Sequence, residues 1–231
     1  MARKTLTSFE ALWQKHEEIY KQVFSQALLK LSSQMTISGN EDSISERLCI
    51  FLREVCFELN NRNVNMEIPT PKWEVPIQPV NEIELTGGKI RKRPDFTCSC
   101  TNKYASKPED YEIPLHVECK CLGRTLITGW NYNKNYVVNG IKRFDCSIHQ
   151  YGKNALSGIM IGYILNLSYT SLQGEVNYYQ TQDLPYLPAI DFSLAVKLFQ
   201  TEQQIERKYV HPNQFKLIHL WSDLSESYSR K

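Results

Sequence analysis

Two stretches decide how this chain is read: Lys89-Ile90-Arg91-Lys92-Arg93-Pro94-Asp95-Phe96 and His116-Val117-Glu118-Cys119-Lys120. Each reads as part of a strand. The first belongs to a run from Lys89 to Cys100 that follows the turn signal Thr86-Gly87-Gly88. The second belongs to a run from Ile113 to Leu122, and a polar loop, Thr101 to Tyr111, joins the two. Strands connected in this way most simply form an antiparallel pair. Side chains two apart in a strand share a face, so His116, Glu118 and Lys120 point one way and Leu115, Val117, Cys119 and Cys121 the other. The second face is apolar enough to make the strand central, and charges on a central strand need a reason. If the strands are neighbours, Asp95, Glu118 and Lys120 converge on one side of the sheet.

Two carboxylates in a partly buried site repel, and ionising both is costly unless a cation sits between them. Oxygen ligands of this kind suit Mg²⁺, which keeps several waters and shares phosphate oxygens. Metal-bound water is more acidic, and a lysine beside it orients the water or assists its deprotonation. These are the parts needed for in-line attack on a phosphodiester.

On these residues the sequence resembles the PD-(D/E)XK nuclease superfamily, the restriction-endonuclease-like fold. Pro94-Asp95 matches PD, and Glu118-Cys119-Lys120 matches ExK. Tyr136-x-x-x-Gly140-Ile141-x-Arg143-Phe144 and Gly158-Ile159-Met160-Ile161-Gly162-Tyr163 look like segments of bacterial and phage-defence nucleases of this superfamily. The resemblance implies an α/β fold with a mixed central β-sheet flanked by helices. It implies that Asp95 and Glu118 bind a divalent metal, Mg²⁺ with Mn²⁺ able to substitute, that the Cys119 backbone carbonyl completes the site, and that Lys120 serves the attacking water. Many members carry an acidic residue on a helix before the sheet, and Glu46 is the best match, although Ser43-Ile44-Ser45-Glu46 is equally a capping box. The expected activity is a DNA endonuclease in restriction or anti-phage defence, with double-stranded DNA as partner. A homodimer and a defence-system partner protein are further expectations.

Lys89, Arg91 and Arg93 share the face of Asp95 if the strand is regular, where they meet the phosphate backbone of an entering nucleic acid. Arg143, on the helix that follows, joins them. A solvated edge explains each of these charges alone almost as well. Asp95 after a proline also suits a simple turn. For His116 a hydrogen-bonded neighbour is the plainer reading than a catalyst.

Outward from this centre the chain reads as one nuclease domain over 1–231, with an N-terminal helical segment at about 7–60. Thr7-Ser8-Phe9-Glu10 has capping-box spacing, and Phe9, Leu12, Trp13, Tyr20, Val23, Phe24, Ala27, Leu28 and Leu31 follow at helical spacing. A second helix runs from about Ser43 to Leu59. Ile50 and Phe57 lie off its main stripe, which suggests packing on more than one side. Prolines break 66–85 into short edge strands. Residues 131–144 read as helical after their tyrosines, 158–165 as a strand buried on both faces, 191–209 as a helix, and 215–221 as a last strand. Residues 167–190 follow neither period.

Composition bounds the function. With 27 Lys and Arg against 25 Asp and Glu, the net charge is +2, too small for bulk attraction to nucleic acid or membrane, so such contact must be local. At 42% hydrophobic and 11% aromatic the chain is not a disordered one. Seven cysteines are too few and too odd for a secreted disulfide scaffold, and no apolar run approaches a membrane span. A cytoplasmic protein with reduced thiols is expected. Cys98, Cys100, Cys119 and Cys121 form two C-x-C pairs, which packing explains better than zinc, whose ligand pairs are spaced more widely. His116-Val117-Glu118 lacks the downstream P-C-x-x-C of zinc deaminases. The competing class is a non-catalytic nucleic-acid-binding or interaction protein on a degenerate nuclease fold.

Overall fold

The computed structural model describes residues 8–62, 67–79, 92–124, 129–192 and 198–229. The first helix, α1 (Phe9–Ser32), starts where Ser8, in extended conformation, accepts the Ala11 amide on its hydroxyl at 3.3 Å. The cap is therefore Ser8; Thr7 lies outside the described residues. The second helix, α2 (Glu41–Arg62), starts two residues before the expected Ser43. Asn40 is its cap, accepting both the Ser43 amide at 3.0 Å and the Ser43 hydroxyl at 2.8 Å. Ser43 therefore sits inside the first turn and cannot cap. Ile44, Leu48, Leu52, Val55 and Leu59 are buried as their spacing predicts. Ile50 and Phe57 are not packed on a second side: they are 59% and 67% exposed, because α1 and the sheet take one face of the helix only.

Among the described residues, four helices accompany a six-stranded mixed sheet, an α/β fold. The strands are β1 (Lys72–Trp73), β2 (Phe96–Thr101), β3 (Glu112–Leu122), β4 (Ser157–Ile164), β5 (Leu198–Glu206) and β6 (Gln214–Asp223), in the order β1-β2-β3-β4-β6-β5. β2 and β3 are antiparallel, with Phe96 opposite Val117. β3, β4 and β6 run parallel, and β1 and β5 close the two edges antiparallel. Of the expected run from Lys89, the described residues 92–95 are not strand and β2 begins at Phe96, while 89–91 lie outside the described residues. The Thr86-Gly87-Gly88 turn and the alternating Ile83 and Leu85 lie outside the described residues.

The helices cover both faces of the sheet. On one, α1 and α2 pack on the side chains of odd parity in β4. Trp13 Nε1 donates to Ser157 Oγ at 2.8 Å, Ser45 Oγ meets the Tyr163 hydroxyl at 3.1 Å, and Phe24 packs edge-on against Phe96. Glu17 interrupts the apolar stripe of α1 and is nonetheless buried. Its ion pair with Lys216 of β6 makes that tolerable. On the opposite face lie α3 (Tyr132–Val138), a 3-10 turn (Ile141–Asp145) and α4 (Tyr169–Asp183). There the Tyr136 hydroxyl bonds His219 Nδ1 at 2.8 Å and accepts Trp221 Nε1 at 2.9 Å.

Here the structure fills one segment that the sequence left unassigned and overturns one expectation. Residues 167–190 hold a helix, α4, that buries only Leu172, Val176 and Gln180 and so lacks a legible apolar stripe. The helix expected at 191–209 is instead strand β5 over its described part, 198–206; 193–197 lie outside the described residues. One of the inward positions in β5, between Phe199 and Ile205, is Gln203, a polar residue satisfied by Gln180 Oε1 at 3.0 Å and the Pro188 carbonyl. A buried glutamine hides the two-residue period, while Gln and Glu favour helix locally. Among the described residues no helix is long and apolar enough to cross a membrane.

Candidate active site

The site forms because β3 outlasts β2. Pairing stops at Phe96 and Val117, so the next two β3 amides on that side, those of Cys119 and Cys121, have no strand partner there. Carboxylates take their place. Asp95 Oδ2 accepts the Cys119 amide at 2.5 Å, and Glu41 Oε2 accepts the Cys121 amide at 3.0 Å. Asp95 is the residue just before β2, and Glu41 is the first residue of α2. Two elements distant in sequence thus deliver acidic side chains to one open strand edge. A buried amide left unpaired is costly, so this anchoring is itself a reason for the geometry.

Between these anchors lies Lys120. Its Nζ is 2.7 Å from Glu41 Oε1, 2.8 Å from Glu118 Oε1 and 3.9 Å from Asp95 Oδ2, and it donates to the Cys119 carbonyl at 2.5 Å. Glu118 is wholly buried and pairs a second time with Arg143 Nη1 of the 3-10 turn. Both cations meet the same oxygen, Oε1. The other, Oε2, is buried without a hydrogen-bond partner. Burial grades inward, from Glu41 at 26% side-chain exposure through Asp95 at 18% to Glu118 at 0%.

The electrostatics follow. Burial pushes Asp95 up to about 6, against the pull of Lys120 and the Cys119 amide. Burial and then the charge of Asp95 push Glu118 up to about 8, with Lys120 and Arg143 opposing. Burial works against the charge of Lys120 too, but Glu118, Glu41 and Asp95 outweigh it and hold its pKa above the ordinary lysine value. Lys120 is therefore the firmly charged member, and Glu118 the carboxyl that is short of compensation.

Asp95, Glu118 and Lys120 are brought together. Glu46 is not among them: it is exposed on α2, and the helix-borne acid is Glu41, five positions earlier. Its signal was the helix start itself, Gly39-Asn40-Glu41, which places the acid in the first turn. Arg93 is exposed, and Lys89 and Arg91 lie outside the described residues. Arg143 faces inward onto Glu118. His116 is buried, and its Nδ1 accepts the Gly152 amide at 3.0 Å, so it is neutral and occupied. Cys98, Cys100, Cys119 and Cys121 are free and buried. By register they share the face of Phe96 and Tyr163, against α1 and α2 and away from Glu118.

The 3-10 turn is held from behind. Arg207 donates to the carbonyls of Phe144 (3.3 Å), Tyr151 and Gly152 (each 3.2 Å) and to Pro212 (2.7 Å), and Asp145 accepts the Lys208 and Tyr209 amides. Gly140 links α3 to this turn, and a Cβ there would overlap the Tyr136 carbonyl oxygen. In front, Glu41, Lys120 and Arg143 open onto a cleft of about 550 Å³, lined also by Trp130, Tyr132, Asn135 and Asn139.

As they stand, no three His, Cys, Asp or Glu side chains among the described residues are gathered closely enough to hold a metal ion. Lys120 and Arg143 occupy the carboxylates instead. What fits a cation is the chemistry of the donors: an orphaned carboxylate oxygen on Glu118, a second carboxylate raising its pKa, and the Cys119 carbonyl, which meets the same Lys120 Nζ as both carboxylates. Comparison with protein-family models, with curated proteins and with solved structures finds no match for this chain.

Proposed function

We propose that this chain is a divalent-metal-dependent nuclease of the PD-(D/E)XK type on a restriction-endonuclease-like fold, cleaving phosphodiester bonds, with double-stranded DNA as the first substrate to test. The observation that carries the reading is the meeting of Asp95, Glu118 and Lys120 at the open edge of β3. That meeting unites the sequence's PD and ExK elements. The mixed sheet with helices on both faces is of the kind the resemblance implies.

In this reading Asp95 and Glu118 hold Mg²⁺ together with the Cys119 carbonyl. The bound ion supplies an acidified water and polarises the phosphate. Glu41 stays on the Cys121 amide and keeps Lys120 directed at the edge of β3. Lys120, being firmly protonated, orients the water and compensates negative charge as it develops. A role in defence and a homodimeric assembly belong to the resemblance and are proposed on it alone.

The test is incubation of purified protein with supercoiled plasmid, linear duplex, single-stranded DNA and RNA, each with Mg²⁺, Mn²⁺ or EDTA, and Asp95→Asn in parallel against contaminating nucleases. Metal-dependent cutting by wild type alone supports the reading. No metal-dependent cutting of any substrate overturns it. It would leave a non-catalytic role, with which the pairing of Glu118 to Lys120 and Arg143 agrees.

A further inference from the structure

Arg143 is a second cation on a carboxylate that already has one. Lys120 and Arg143 share Oε1 of Glu118, while Oε2 has neither. The Arg143 side chain is 27% exposed and lines the cleft, yet its Nε is buried with no hydrogen-bond partner. Its guanidinium is thus half used: one end is held by Glu118, and the Nε donor is left without a partner. Guanidinium is the group best shaped for bidentate grip on a phosphate.

Charge counting says when that grip becomes available. With Glu41, Asp95 and Glu118 ionised, three negative charges face the two positive charges of Lys120 and Arg143. The metal-free centre then has no surplus of positive charge with which to hold a phosphodiester, and with Glu118 protonated, as its burial favours, it still has none. A divalent cation on Asp95 and Glu118 reverses the sum to one net positive charge, equal and opposite to that of one phosphodiester. It also places a like charge beside Arg143 at short range, where repulsion is strongest.

We propose that Arg143 is a phosphate-binding residue held in reserve on Glu118, and that divalent metal binding releases it toward a substrate phosphate in the cleft. This rests on the nuclease reading above. The backbone of the 3-10 turn stays fixed by Arg207 and Asp145, so only the side chain needs to move. The consequence is ordered assembly: nucleic acid binds weakly to the metal-free protein, and metal and substrate favour each other.

The test uses the full chain as wild type, Arg143→Gln and Arg143→Lys. Mn²⁺ binding is measured by calorimetry, binding of a fluorescein-labelled duplex by anisotropy with Ca²⁺ and with EDTA, and folding by thermal melting. Removing a cation that competes for Glu118 should tighten Mn²⁺ binding several-fold in Arg143→Gln and leave Arg143→Lys near wild type. Duplex affinity should fall roughly ten- to a hundredfold in Arg143→Gln with Ca²⁺, the scale of one contact to a charged group, and change little with EDTA. Equal losses with Ca²⁺ and EDTA would mean a permanent contact and overturn the reserve. Unchanged or weaker Mn²⁺ binding with a lower melting temperature would make Arg143 a structural ion-pair partner and overturn the proposal. If wild type binds no Mn²⁺ at all, the nuclease reading itself fails and the proposal falls with it.

Discussion

Asp95 reaches across from the start of β2 to seat its Oδ2 on the backbone amide of Cys119, 2.5 Å away, between Glu118 and Lys120 of β3. Where β2 stops pairing, its neighbour in sequence carries on the ladder with a side chain. One carboxylate oxygen thereby repairs the sheet edge. The other is left to the site.

That double duty separates two substitutions. Asp95→Asn keeps an oxygen for the Cys119 amide but loses the charge; metal binding and cleavage should be lost while stability stays within about 1 kcal/mol of wild type. Asp95→Ala orphans the amide and should lower metal-free stability by about 1–3 kcal/mol, less whatever the relief of repulsion on Glu118 returns. Urea unfolding of both variants in EDTA decides it. Equal stabilities would mean that the Cys119 contact contributes nothing.

Glu41 and Glu46 give a paired test of which acid on α2 belongs to the site. Glu41→Gln should weaken cleavage by roughly tenfold or more, since one side of Lys120 loses a charged partner of the strength typical of such contacts. Glu46→Gln should leave cleavage unchanged, its side chain being exposed on the same helix. Initial rates on one duplex at saturating Mg²⁺ suffice, and the reverse ranking would move the site's third acid back to Glu46.

The sequence was legible where one physical rule acted alone. Alternation placed β3, an unbroken apolar run placed β4, and parity put Glu118 with Lys120 and away from Cys119 and Cys121. It was illegible where tertiary partners overrode local preference. Gln203 and Gln180 satisfy each other across β5 and α4, so neither element shows its period. Glu41 was hidden for a similar reason. An acid in a first helical turn is explained by the helix dipole alone, and only the free edge of β3 reveals a second use. Arg143 was expected on a helix among the phosphate-contacting charges, and its pairing with Glu118 appears only once the 3-10 turn carrying it is folded.

Stability of the metal-free protein should pass through a maximum near pH 6.5. His16 and His149 are pushed down to about 4, and His116 and His219 to about 3, chiefly by burial. Their folded values lie below their unfolded ones. The unfolded chain therefore gains protons first, and stability is lost as pH falls from the ordinary histidine value of about 6.5. Asp95 and Glu118 act in the opposite sense. Their folded values, about 6 and about 8, are raised, so their contribution is present at low pH and is lost as pH rises through those values. Between pH 6.5 and 8.5 the melting temperature should fall, and Glu118→Gln should fall less. A difference between the two proteins that stays flat across that window would show that Glu118 is ionised throughout.

Lys120 is the residue on which catalysis and folding must be told apart. Its ammonium faces Glu41, Glu118 and Asp95 and is almost wholly buried, so removing it leaves three carboxylates with Arg143 alone. Breaking such a buried set costs on the order of 3–5 kcal/mol; Lys120→Met, which keeps most of the apolar stem, should therefore melt early in EDTA. A divalent cation can take over the lost positive charge, so Mn²⁺ should bind the variant at least as tightly as wild type and restore much of the melting temperature. What it cannot restore is the group that orients the water and compensates developing charge. Cleavage at saturating metal should fall by roughly 10²–10⁴-fold, the usual range for removing such a group. Calorimetry fixes the metal concentration for saturation, melting confirms the folded state at that concentration, and gel assays on one duplex give the rates. If the metal-loaded, folded variant cuts as fast as wild type, Lys120 is only a counter-ion, and the nuclease reading loses its most specific residue.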